Sequence, residues 1–370
     1  MTHADVLILT ALPKELKAAK AAGAEAGIAS WSEEGRYTDS PYWRGDLLCG
    51  DGRKLSVALA RPTRMGSRSL IGPATELTRL LRPRCLAMTG VCAGHPERTA
   101  FGDVIVAEVA YDYGEGKLGE TEFSGDHRQY KLNERWLFAA QDFEPDGLPS
   151  HGAATVMDAA IWFLERLLRG QDPAKHPARA RYFPRNTWAP RLEAIAADGL
   201  IVRDGSGYSL TPDGREYVER VLFDDVDGPS RLPFAVVTGP MASGSAVRAD
   251  GRAWQQLAAM GMRSIVGLEM EGAALATVAQ SQKVPEWVVV KGVMDHADGD
   301  KDDRFKEFAA TASAEVLFAL LDRLGRPAEG GADEDVTPTA GAEGGKYHVT
   351  ITNAHGVQIG DRNVQWNEFR

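Results

Sequence analysis

The chain has 370 residues, 42 Lys and Arg against 52 Asp and Glu for a net charge of −10, and is 44% hydrophobic and 25% charged. At roughly 100–200 residues per domain this length accommodates two domains, or one enlarged by an insertion, and excludes disorder or a fibre as the whole answer. The acidic balance argues against a general nucleic-acid coat, because the surface field repels phosphate unless a basic patch is segregated locally.

Three cysteines, Cys49, Cys85 and Cys92, form neither a CxxC nor a Cys/His cluster. They read as reduced cytosolic thiols, with no metal site implied. No run approaches the roughly 20 apolar residues of a membrane span. The Val6–Leu12 stretch follows Asp5 and lacks a small-residue cleavage site, so it reads as a buried strand of a cytoplasmic protein and not as a signal peptide.

In chain order, Val6–Leu12 leads through Pro13 into a helical segment, Lys14–Ala22, the strand-then-helix opening of an α/β unit. Continuous apolar runs recur at Leu55–Leu59, Cys85–Met88, Val104–Val109, Phe234–Val237, Ser264–Leu268 and Trp287–Val290, as in strands buried on both faces. Helical stretches lie between them at Ser69–Leu81, Arg252–Gly261, Gly272–Gln282 and Lys306–Leu324. This alternation predicts an α/β fold of three layers, a mixed, mostly parallel sheet covered on both sides.

Two segments depart from the pattern. Helix-rich sequence from about Leu137 to Leu222 ends in a helix, a Gly199 stop, two strands around an Asp204–Gly207 turn and a helix starting near Pro212. That order resembles a winged helix-turn-helix. After Leu324 the composition shifts to Gly, Ala, Glu, Asp, Pro and Thr, which predicts a flexible linker ending in a distinct tail.

Three separated carboxylates stand at the carboxyl ends of predicted strands, where open α/β sheets place their sites: Glu15 in LTALPKELKA, Glu271 in GLEMEGAALA and Asp295 in VVVKGVMDHADG. Singly, each would pass for an ordinary solvated acid complementing a helix dipole. Together, with TGVCAG (Thr89–Gly94), GPMASGSA (Gly239–Ala246) and RFKEF, they occur in the order of the purine nucleoside phosphorylase superfamily, which the chain resembles over about Ala4–Gly125 and Pro233–Leu324.

The resemblance implies N-glycosidic cleavage through an oxocarbenium-like sugar, without a cofactor or metal. By matched position it makes Asp295 the acid that protonates the leaving purine at N7, Glu271 the grip on the ribose hydroxyls beside Met270, and Glu15 the base that activates water. It also assigns substrate contacts to the loop Thr89, Gly90, Val91, Cys92, Ala93 and Gly94 and to Glu269, and implies a homo-oligomer with sites near subunit contacts. Where the family has an aromatic cover for the purine the chain has Val247, so stacking falls to Phe305 or Phe308 or is weaker. Cys92 is expected to be a buried thiol, since the chemistry needs no sulfur nucleophile.

Arg61, Arg64 and Arg68 stand where the family places a phosphate or 5′-side loop, with Arg248 a further candidate, and arginine forks suit phosphate. Surface arginines are the ordinary alternative. Because Glu15 is retained, the pattern favours hydrolysis of a purine nucleoside or nucleotide such as AMP or ATP over phosphorolysis. The insertion concentrates Arg166, Arg169, Lys175, Arg179, Arg181, Arg185 and Arg191. A protein contact is the stronger use of such a segment and DNA the weaker.

The tail segment GVQIGDRNVQ resembles bacterial amyloid signalling motifs, with Gly356, Val357, Gln358, Ile359, Gly360, Asn363, Val364 and Gln365 as its core. Its alternation and amide side chains suit an in-register cross-β stack. A sensor protein with a matching motif is the implied partner. The expected organisation is thus a phosphorylase-like domain in two parts, 1–136 and 233–325, a winged-helix-like insertion at 137–232, a linker at 326–346 and a disordered, amyloid-prone motif at 347–370. A non-catalytic nucleotide or DNA module is the competing reading, disfavoured by the retention of all three carboxylates; methionine-salvage cleavage is a third, needing neither insertion nor tail.

Overall fold

The computed structural model describes residues 3–118, 123–126, 128–225, 227–245, 251–298 and 303–324. The linker and tail therefore lie outside the described residues, as do Val247 and Arg248.

In order, the elements are β1 (Val6–Leu9), α1 (Pro13–Glu25), β2 (Ser32–Glu34), β3 (Tyr42–Leu48), β4 (Lys54–Ala60), α2 (Ser67–Leu81), β5 (Cys85–Gly94) and β6 (Val104–Asp112). There follow β7 (Gly116–Leu118), β8 (Phe123–Gly125), β9 (Arg128–Lys131), α3 (Glu134–Gln141), α4 (Val156–Leu168), α5 (Arg179–Tyr182), α6 (Trp188–Ala197), β10 (Ile201–Asp204), β11 (Gly207–Leu210) and α7 (Pro212–Asp224). The last group is β12 (Val236–Ser243), α8 (Ala253–Ala259), β13 (Gly267–Glu269), α9 (Gly272–Ser281), β14 (Glu286–Asp295) and α10 (Lys306–Leu324).

The apolar run of β1 is buried throughout because the strand has a helical layer on each face. Val6 and Ile8 join the core shared with α1 and α10, whereas Leu7 and Leu9 join the core shared with α2 and α9. The strands run β13-β12-β6-β14-β5-β1-β4-β3-β2, with β9 beside β6. Pairing is parallel at β4–β1–β5–β14 and at β6–β12–β13, and antiparallel at β14–β6, β3–β4 and β2–β3. β13 also pairs antiparallel with β5, Gly267 opposite Gly94, so the inner strands β5, β14, β6, β12 and β13 curl into a closed ring. This closure brings the ends of β5, β13 and β14 together.

Position 137 lies inside α3, whose buried Trp136, Ala139 and Ala140 belong to the main core. The elements with a core of their own begin at α4, where Trp162 and Phe163 pack with Tyr182, Phe183, Leu192, Ile195, Ile201 and Val218. Within this segment α6, the β10–β11 hairpin and α7 follow one another, and Thr211 caps α7 by accepting from Gly214 N–H. Buried ion pairs tie it to the main fold: Arg181 with Asp103, and Arg304 with Glu165 at 3.0 Å.

Candidate active site

Glu15 sits in the first turn of α1 and is only 3% exposed. Its Oε2 accepts from the N–H groups of Ala11 (2.7 Å) and Leu12 (2.8 Å), and its Oε1 from Val91 N–H (3.0 Å). Backbone donors thus satisfy a carboxylate that water does not reach. The approach of β5 requires Gly90: at φ +156°, a Cβ there would come within 2.5 Å of Glu15 Oε1.

β14 supplies two charged groups from one strand. Lys291 lies opposite Gly90 and Val293 opposite Cys92; the register then slips, placing Asp295 opposite Ala93 with Met294 as the extra residue. Such a bulge re-aims the side chains that follow it. Asp295 is buried, and its Oδ1 accepts from Ala297 N–H at 2.9 Å.

The β13–α9 junction supplies the others. Glu269 accepts from Glu271 N–H (2.9 Å), from Gly272 N–H (2.8 Å) and from the Ser243 hydroxyl, which itself accepts from Ala273 N–H. Its oxygens are thus used largely to hold the junction. Glu271 accepts from Gly66 N–H at 2.5 Å, and Ser67 donates to the Met270 carbonyl at 2.6 Å, fixing the start of α2 and the loop before it over the junction.

Lys291, with no exposed surface, lies 3.4 Å from Glu269 and 3.6 Å from Glu271. Burial works against its charge, yet Glu269, Glu271 and Glu15 outweigh it and hold the ammonium protonated beyond the usual lysine range. Burial, reinforced by Glu269 and only partly offset by Lys291, raises the Glu271 carboxyl above the usual range. Burial likewise keeps Cys92 a thiol.

These groups meet at one cleft of about 710 Å³, lined by Glu15, Glu271 and Asp295 together with Val91, Cys92, Ala93, Glu269 and Met270. Other expected residues lie elsewhere. Thr89 is turned to α10, its hydroxyl 2.9 Å from that of Ser313, and Gly94 offers its carbonyl to the His296 ring. Arg61 donates to the Pro62 carbonyl, while Arg64 and Arg68 are exposed; none of the three lines the cleft.

Phe305 is 4.9 Å from Phe101 and lines a second cavity, and Phe308 packs against Phe234 in the core, because the turn before α10 faces α4. Among the described residues no aromatic ring lines the cleft; Met65, Met270 and Met294 do. Lys291, Ser243 and the two added methionines are absent from the sequence-based set. The only signal for Lys291 was a lone charge inside VVVKGV.

With this architecture in view, the chain matches the phosphorylase superfamily over residues 5–325, and it belongs to that family. Among solved structures, futalosine hydrolase of Helicobacter pylori is 14% identical over 86% of this chain and 97% of its own, with a TM-score of 0.52. Helicobacter pylori 5′-methylthioadenosine/S-adenosylhomocysteine nucleosidase is 14% identical over 88% of this chain and 100% of its own, with a TM-score of 0.51. Both are likenesses of fold. An uncharacterized protein, y4jS, of Sinorhizobium fredii is 26% identical over 76% of this chain, which spans 53% of that relative's length.

Among the described residues no helix is long and apolar enough to cross a membrane.

Proposed function

We propose that the chain is an N-glycosyl hydrolase that releases the base from a purine nucleoside or nucleotide. The observation that carries this reading is the convergence of Glu15, Glu271 and Asp295 on one cleft from three distant parts of the sequence. Asp295 donates its proton to purine N7 as the C1′–N9 bond breaks and its electron pair passes to the base. Glu15, fixed by its backbone donors, takes a proton from the attacking water, whose oxygen joins C1′. Glu271 holds the ribose hydroxyls, kept in place by Gly66 and Lys291. With no ring in the described lining, the thioethers of Met65, Met270 and Met294 supply soft contacts for sugar and base.

Glu15 favours hydrolysis over phosphorolysis. For a nucleotide substrate the candidate phosphate contacts are Arg64, in the exposed loop beside Met65, and Arg68, in the first turn of α2, with Arg248 outside the described residues. The GVQIGDRNVQ tail adds a regulatory reading: an effector that depletes a purine pool once a sensor templates the tail. The α4–α7 segment, with its own core and a helix–hairpin–helix order, fits a winged-helix contact module.

Incubating the full chain, soluble and filamentous, with adenosine, methylthioadenosine, AMP, ATP and dATP, with and without phosphate, tests the proposal by the appearance of free base. No base from any of them, with Asp295→Asn behaving as the parent in cells, would overturn it.

A further inference from the structure

A second cavity, open to solvent and of about 1320 Å³, lies between the main fold and the α4–α7 segment. The cleft chemistry makes no use of it. Aromatic rings form part of its lining: Phe101 and Phe305 lie 4.9 Å apart, and Trp162 stacks on Tyr182 at 4.8 Å. Arginines form another part. Arg166 and Arg304 line the cavity, and with Arg169 each lies 3.0 Å from the single carboxylate of Glu165; Asp225 takes Arg304 at 3.2 Å. Asp158 lines the cavity as well, so its guanidiniums and carboxylates are matched in number.

Arg166 is 1% exposed, its guanidinium sits 5.0 Å over the Phe101 ring, and its Nε finds no acceptor. A buried donor without an acceptor costs about 1–3 kcal/mol. Arg231 adds a further guanidinium at the exposed rim, donating to the His151 carbonyl.

A planar ring system with an anionic arm satisfies both parts of the lining at once: the ring among the aromatics and the anion on the arginines. We infer that this cavity is a binding site for a nucleoside monophosphate, distinct from the cleft that holds Glu15, Glu271 and Asp295.

The test is calorimetric titration of AMP into full-length Asp295→Asn protein, with inorganic phosphate as a second probe. Two AMP per chain are expected, with phosphate competing at one of them. Ile161→Trp, which fills the cavity, removes one AMP, and Arg231→Glu weakens the same one by about tenfold or more; thermal melting establishes that each variant folds. A single AMP that Ile161→Trp abolishes supports the site while counting against AMP in the cleft, so the two readings fail separately. Stoichiometry unchanged in folded Ile161→Trp, or no AMP bound at all, overturns the inference.

Discussion

Glu15 and Gly90 act as a pair, since the carboxylate occupies the space that a side chain at position 90 would need. Glu15→Gln keeps the shape and removes the base, and base release should fall by about 10²–10⁴-fold. Gly90→Ala keeps the base and displaces it, so a steady-state assay should find a loss of comparable size although the altered residue carries no functional group. Lys291 gives a different signature. Its folded pKa lies above the ordinary 10.5, so its contribution to stability is fully present below that value and is lost as pH rises through the folded value. Urea unfolding of the parent should therefore weaken from about pH 10.5 upward. Lys291→Met should be less stable at neutral pH, with two buried carboxylates left facing each other, and should lack that alkaline decline.

At the scale of elements, β14 and α10 pack in close backbone contact. A Cβ on Gly292 would lie 2.1 Å from the Ala309 carbonyl oxygen, on a helix face with no exposure at Ala309. Overpacking of this kind costs about 1–3 kcal/mol, and a backbone obstacle puts Gly292→Ala at the upper end, measurable as a lower urea midpoint. The same elements explain what was legible in the sequence. α10 has the predicted bounds Lys306–Leu324, and the runs of β1, β4, β5, β6 and β14 mark the buried inner strands. Strands β2, β3 and β9 escaped notice because they are antiparallel, edge or side strands whose polar residues leave no apolar run. The Phe234–Val237 run captures only the start of β12, which continues to Ser243 through Pro240 because the ladder shifts register between Gly239 and Pro240. The three carboxylates were readable because each stands at the end of a predicted strand inside a motif that resembles the family's; Lys291 was not, because an isolated lysine in an apolar run carries no spacing that names its partners.

Across the whole molecule, the junction between the main fold and the α4–α7 segment is held by buried charge, and acid should attack it in two stages. His296, whose Nδ1 donates to the Gly94 carbonyl, and His176 are kept neutral mainly by burial, with pKa values pushed down to about 4 and about 3. A histidine with a lowered folded pKa stabilises the fold above its unfolded value and loses that contribution as pH falls from 6.5 toward the folded value. Glu165 belongs to the next stage. Burial opposes its charge, but Arg166, Arg304 and Arg169 outweigh it and lower its pKa, so its contribution is present above the ordinary 4.5 and is lost as pH falls through the folded value. Glu165→Gln leaves Arg166 buried without its counter-charge, a loss of about 3–5 kcal/mol at neutral pH. Urea unfolding followed by tryptophan fluorescence should show this variant weaker than the parent at pH 7, equally sensitive between pH 6.5 and 4.5, and flatter below. The main fold and the α4–α7 segment should also lose structure in one transition, since Arg304 lies in the turn that leads into α10 and its partner Glu165 lies in α4. Equal slopes for parent and variant below pH 4.5 would show that the knot is not what couples the two.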